Sequence, residues 1–224
     1  LSGLGAREIF LDAAELDWNG GVRLIRIEAP AIPRRTPTTL VVSGRWLSGD
    51  RPPEQLATAL LSELSGLRIA AEQDGLLVTG FHFEVEPGAK GESYGHTLKR
   101  LRSGLGNSTY LSASLDRRAL EGPDAQAIAD AVDFFVCMIY GQRPGEAEDP
   151  AAWDLQFVEK SFRRLEALRR PYFIGASTLG TATWRGRSGE VRESSTSFAL
   201  GELVHARNLE LKPGFSLQGI DRQV

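Results

Sequence analysis

Hydrophobic and polar positions follow two rhythms along this chain. Near the N-terminus they come in short runs rich in branched side chains. Residues 8–17 (E-I-F-L-D-A-A-E-L-D) and 22–28 (V-R-L-I-R-I-E) read as strands, joined by a tight turn at N-G-G, 19–21. No helix fits between them. Pro30, Pro33 and Pro37 make 30–37 a loop, and T-T-L-V-V-S (38–43) is the next strand. From there strands and helices alternate. Pro52-Pro53 opens a helix to about Gln73, with Leu56, Leu60, Leu64 and Leu67 at helical spacing. A strand is predicted over 76–86, a helix over 94–104 and a strand over 109–115. Pro123 opens a helix over 123–131, and the apolar stretch 133–140 is a strand. A helix over 151–168 precedes Pro171 and a strand over 172–177. The remainder is glycine-rich and polar, then closes with G-F-S-L-Q-G-I (214–220).

Apolar strands separated by helices imply parallel strands with helices packed over them. Such units build either a closed barrel or an open doubly wound sheet. The predicted strand ends carry Trp46, then Glu84 with Glu86, Asp116, Tyr140 with Gln142, and Ser177 with Thr178. Polar groups spread over many strand ends belong at a barrel mouth. An open sheet more often has a Gly-rich phosphate loop after its first strand. Gly3-Leu4-Gly5 lacks both the third glycine and the preceding strand. The prediction is an α/β fold, a TIM-type (β/α)8 barrel that is irregular or incomplete at its N-terminal strands. It is formed by 1–224 as a single domain.

The strand G-F-H-F-E-V-E (80–86) carries the densest chemistry. Period-two alternation puts Phe81, Phe83 and Val85 on one face and His82, Glu84 and Glu86 on the other. The Cα atoms of the two glutamates lie roughly 6.5–7 Å apart on an extended strand. Acids are almost never fully buried without partners. This row therefore needs a cleft, a partner or a chemical role. One reading without chemistry is a pair of acids held by arginines such as Arg45.

Composition narrows the function classes. With 42% hydrophobic and 25% charged residues, the chain can bury a substantial core. A net charge of −3 gives no long-range attraction to nucleic acid or anionic membrane. Arg163, Arg164, Arg169 and Arg170 cluster, but Glu159 and Glu166 lie among them, as on a solvated helix face. Cys137 is alone, inside F-F-V-C-M-I-Y, and reads as a core thiol. No apolar run approaches the roughly 18 residues of a transmembrane helix. No signal-peptide pattern is visible. The chain opens on Leu1 rather than Met, which leaves room for a segment ahead of it. His96 and His205 have no companions at metal-ligand spacing, so no zinc site is expected. Ser177 lacks a G-x-S-x-G setting, so acyl-enzyme chemistry is not supported. No cofactor is called for.

Several motifs together resemble those of glycoside hydrolase family 18, the chitinase family. T-L-V-V-S-G-R-W (39–46) is similar to its third-strand motif, a hydrophobic strand ending in Ser-x-Gly-Gly. G-F-H-F-E-V-E lies where that family has D-G-x-D-x-D-x-E on its fourth strand. M-I-Y-G (138–141) resembles its sixth-strand Met-x-Tyr-Asp, and G-F-S-L-Q-G-I-D resembles its last strand. The chain also resembles an uncharacterised bacterial group of glycosidase-like barrels, usually exported, whose fourth strand carries paired acids before a proline. The chain also departs from the chitinase pattern at positions that matter for its chemistry. His82 and Glu84 stand in place of two aspartates, and Gly141 replaces the aspartate after the tyrosine.

The resemblance implies a glycoside hydrolase acting on a polysaccharide or oligosaccharide. Glu86 is then the general acid, which needs a carboxyl kept protonated until it donates to the leaving oxygen. The neighbouring carboxylate of Glu84 favours that state. Glu84 itself supports the group that attacks the anomeric carbon. In the chitinase family that group is the substrate's own acetamido oxygen; other glycosidases usually employ a second carboxylate. Tyr140 reaches the reaction centre through its hydroxyl, or caps the barrel. His82 bonds Glu84, or is a satisfied core histidine. Trp46 and Trp184 stack on sugar faces, or pack in the core. Gln142 and Asp116 offer polar contacts to substrate, with helix capping the other role for Asp116. An inactive glycan-binding protein on the same barrel is the competing reading, since fold does not fix function.

Overall fold

The computed structural model describes residues 8–19, 21–28, 32–47, 49–86, 91–138, 155–175, 179–182 and 196–199. Among them, the strands are β1 (Ile9–Asp17), β2 (Arg23–Arg26), β3 (Pro37–Arg45), β4 (Leu77–Glu86), β5 (Tyr110–Leu115), β6 (Phe134–Met138), β7 (Tyr172–Gly175), β8 (Leu179–Ala182) and β9 (Thr196–Ala199). The helices are α1 (Pro53–Gln73), α2 (Gly91–Gly104), α3 (Arg117–Glu121), α4 (Ala125–Ala131) and α5 (Leu155–Ala167). Two compact units result. One comprises 1–138 with 160–174, the other 139–159 with 175–224.

The first unit is built on a mixed α/β sheet of seven strands in the order β2-β1-β3-β4-β5-β6-β7. β1, β3, β4, β5 and β6 run parallel in successive pairs, and β2 is antiparallel to β1. This agrees with the predicted β–α alternation and with the tight turn between the first two strands. Asp17 Oδ1 accepts from the backbone N and from Nδ2 of Asn19 at 3.1 and 2.8 Å, which starts that turn. In the second unit β8 and β9 pair antiparallel, within a stretch that sequence reasoning left as glycine-rich and polar. The predicted strand 214–220 lies outside the described residues.

α1 forms as its pattern dictates. Pro52 is extended and Pro53 sits in the first turn, where its missing N–H costs nothing. Leu56, Leu60, Leu64 and Leu67 are all buried. Each removes enough apolar surface to contribute roughly 1.5–3 kcal/mol. The helix stops at Asp74, and Gly75 takes φ +88°, a left-handed conformation that suits glycine. Phe81, Phe83 and Val85 of β4 are buried beneath the helices, with the Arg68 guanidinium of α1 5.3 Å from the Phe81 ring centroid. Leu111, Ala113, Leu115, Phe135 and Cys137 continue that core. The Cys137 thiol is pushed up to about 12, by burial first and by the charge of Asp116 second, which fits an inert core thiol. The arginines at 163, 164, 169 and 170 are exposed, as expected of a solvated face.

The opposite face of the sheet carries ring contacts from strand to strand. Phe10 meets His82 at 5.2 Å, Tyr110 meets Phe134 at 6.4 Å, and Phe134 meets Phe173 at 5.2 Å. Glycine is required at Gly80, on β4 beside Tyr110. A Cβ there would lie 2.8 Å from Tyr110 Cβ and 2.9 Å from its carbonyl oxygen.

Candidate active site

β4 sits inside the parallel sheet, between β3 and β5, and ends in Glu84-Val85-Glu86. Val85 is buried while both glutamates are exposed, so the predicted alternation holds to the last residue. The two acids therefore leave the C-terminal end of a central strand on the face away from the helices. Glu86 is in register with Arg45, the last residue of β3. Arg45 Nε lies 3.4 Å from Glu86 Oε2, and both side chains are largely in solvent, 76% and 58% exposed. An ion pair this open contributes roughly 0–1 kcal/mol. A ligand entering between them can displace it.

Glu84 has a different environment. Its carboxyl is held above the ordinary carboxylate range, first by partial loss of water and second by the negative charge of Asp12. Asp12 lies on β1, two strands away, and sequence reasoning did not single it out.

His82 stands one step deeper on the same face and is 3% exposed. Nδ1 is 2.9 Å from Ser112 Oγ and Nε2 is 2.8 Å from Ser114 Oγ. Ser112 Oγ also donates to the Phe81 carbonyl at 3.5 Å. That chain assigns the proton to Nδ1, with Nε2 accepting from Ser114. Both ring nitrogens are thus engaged by β5, the satisfied core histidine of the two sequence alternatives. Burial lowers its pKa to about 4, so the ring is neutral at pH 7.

Trp46 follows β3 and is buried at 3% exposure. Its Nε1 donates to Ser93 Oγ at 2.9 Å, and its ring packs on Trp18 and Tyr94 at 5.1 and 4.9 Å. Its backbone N donates to the Glu86 carbonyl at 2.9 Å, which ties the ends of β3 and β4 together. Trp18 is partly open, donates Nε1 to the Arg45 carbonyl at 2.8 Å, and lies 5.8 Å from the Arg51 guanidinium. Asp116 accepts from the Ala119 N–H at 2.7 Å and caps α3, the second of its two sequence roles. Tyr140, Gln142 and Trp184 lie outside the described residues. The structure therefore brings together Glu84, Glu86, Arg45 and Trp46 at one strand end, with His82 beneath. Among the described residues, no group of three or more His, Cys, Asp or Glu is placed to hold a metal ion. No described helix is long and apolar enough to cross a membrane.

No protein-family model and no curated protein matches the sequence at a significant level. Solved structures do share its fold. A chitinase from Chromobacterium violaceum aligns with 90% of this chain and 68% of its own, at 15% identity and a TM-score of 0.61. The spore cortex-lytic enzyme SleL of Bacillus cereus aligns with 90% of this chain at 18% identity and a TM-score of 0.60. This chain spans 50% of that SleL chain. A glycoside hydrolase family 18 N-acetylglucosaminidase from Paenibacillus barengoltzii aligns with 75% of this chain and 60% of its own, at 14% identity and a TM-score of 0.53. At such identities the likeness is one of fold. The chain has a fold like that of family 18 glycoside hydrolases.

Proposed function

We propose that this protein is a glycoside hydrolase acting on a polysaccharide or oligosaccharide. In this reading Glu86 is the general acid and Glu84 the supporting carboxylate. The observation that carries it is the exit of both acids, exposed and on one face, at the C-terminal end of a central parallel strand. That is where enzymes built on such barrels place their chemistry. Family 18-like neighbours support it at the level of fold. The proposal takes 1–224 as a single (β/α)8-type barrel domain, with Tyr140, Gln142 and Trp184 kept as candidate site residues.

In the reaction, the Glu86 O–H bond breaks as its proton passes to the glycosidic oxygen. The bond from the anomeric carbon to that oxygen breaks in step, leaving Glu86 as a carboxylate. Glu84 stabilises the positive charge that develops at the sugar, and water then adds to the anomeric carbon, passing a proton to the Glu86 carboxylate and restoring its acid form. Trp46, packed under the ends of β3 and β4, keeps the two strand ends in register. His82 ties β4 to Ser112 and Ser114 of β5, and Asp116 caps the helix that follows β5.

A carbohydrate-binding protein without turnover is the second reading. The Arg45–Glu86 ion pair favours it, because it gives Glu86 a partner that needs no reaction. A panel of chromogenic glycosides, with calorimetric binding of chito- and gluco-oligosaccharides, separates the two. Turnover of any glycoside supports the hydrolase. Binding without turnover moves the assignment to the second reading, and neither binding nor turnover refutes both.

A further inference from the structure

The side chains of β1 and β4 meet across the intervening β3, at a constant offset. Glu8, just ahead of β1, accepts from Thr39 Oγ1 of β3 at 2.7 Å and from Thr79 Oγ1 of β4. Thr39 is the register partner of Phe10, one alternation further along. Phe10 in turn meets not its own row but His82, 5.2 Å away, which pairs with Val41, the register partner of Asp12. Glu8 and Phe10 thus both lean one alternation toward the C-terminal end of the sheet. Extending the ladder by one step takes Asp12 to the level of Glu84, whose partner on β3 is Ser43.

We propose that Asp12 belongs to the acidic centre, as a positioning residue that acts on Glu84 from across β3. Its catalytic meaning rests on the hydrolase reading above. The geometry supplies the rungs below it, Glu8 to Thr79 and Phe10 to His82. The electrostatics are in keeping with that placement, since burial first and the charge of Asp12 second raise the Glu84 carboxyl.

Glu15 of β1 is level with Glu84 through Ser43 of β3, and its Cγ lies against Gly44, one residue further along β3. The remaining ionisable groups around Glu84 among the described residues are engaged elsewhere. Arg45 of β3 pairs with Glu86. His82 of β4 is held by Ser112 and Ser114. Asp116, after β5, caps α3. Asp12 therefore biases Glu84 toward its protonated form, and Glu84 ionises only against the charge of Asp12. A carboxyl so biased gains the most from positive charge arriving beside it, as at a sugar's anomeric carbon when its leaving group departs.

The test is a carbon-detected NMR titration of the glutamate carboxyls in the full chain. Glu84→Gln assigns the resonance. Asp12→Asn should move the Glu84 midpoint downward, because a like charge has been removed. The shift should be partial, because burial remains and is the larger cause. Asp12→Ser should do the same. Glu15→Gln removes the next acid on β1 and should leave the midpoint in place. An unchanged midpoint in both Asp12 variants overturns the proposal. An equal drop in Glu15→Gln also overturns it, since the effect would then be one of general charge. If a glycoside is turned over, Asp12→Asn should also move the pH limb governed by Glu84 to lower pH, and an unmoved limb counts against the proposal. Because the titration needs no substrate, failure of the hydrolase reading leaves its outcome intact.

Discussion

Acidification should withdraw a defined amount of stability through His82. In the folded chain its pKa is lowered to about 4 by burial, whereas an unfolded histidine titrates near 6.5. Below pH 6.5 the unfolded chain binds a proton that the folded chain refuses. Stability from this group is complete above pH 6.5 and is lost as pH falls toward 4. Between pH 7 and pH 5 the linkage relation gives a loss of about 2 kcal/mol. The cause is local. Protonated imidazole has two donors and no acceptor, so Ser114 must turn its hydroxyl around, and a charge sits where only 3% of the residue meets water. His82→Gln is the matched perturbation, since an amide can still bond both serines but does not titrate. The assay is urea unfolding of both proteins at pH 7 and pH 5. The stability gap between wild type and variant should shrink by about 2 kcal/mol on acidification. A gap that stays constant within error would refute the reasoning, and with it the neutral, serine-bridged histidine.

Two further outcomes test the packing around the site. Tyr94 is fully buried against Trp46, and its hydroxyl has no hydrogen-bond partner among the described residues; Tyr94→Phe should leave stability unchanged or raise it by about 1 kcal/mol, read from the denaturation midpoint. Gly80→Ala should destabilise by about 1–3 kcal/mol in the same measurement, because its new methyl group would press on the Tyr110 backbone and β4 and β5 must part to admit it.

The features legible in the sequence are those that depend on local periodicity. The leucines of α1 and the alternating faces of β4 are fixed by spacing along one element, and the structure follows them residue for residue. Contacts between elements were not legible. Nothing in F-H-F-E says that two serines of β5 wait for the histidine, because the register of β4 on β5 is set by the whole sheet. Asp12 was hidden for two reasons. Its partner is two strands away, and β1 shifts register between Asp12 and Ala14, which breaks the alternation that would have marked its face. The neighbour expected to matter was Glu84 acting on Glu86, whereas the structure adds Asp12 acting on Glu84. Trp46 offered two roles, sugar stacking or packing, and its burial against Trp18 and Tyr94 is a tertiary fact. α3 was missed because five residues are too few to show a period; its cap, Asp116, was the visible trace.

The central claim is that Glu86 gives a proton to a departing sugar oxygen. It is tested most directly by the leaving-group dependence of Glu86→Gln. Gln keeps the size and hydrogen bonding of the side chain and removes only the proton. On a natural glycoside, whose leaving oxygen needs protonation, kcat should fall roughly 10²–10⁴-fold with little change in binding. On an activated aryl glycoside, which departs without help, most of that loss should disappear. Equal losses on the two substrates would contradict the assignment.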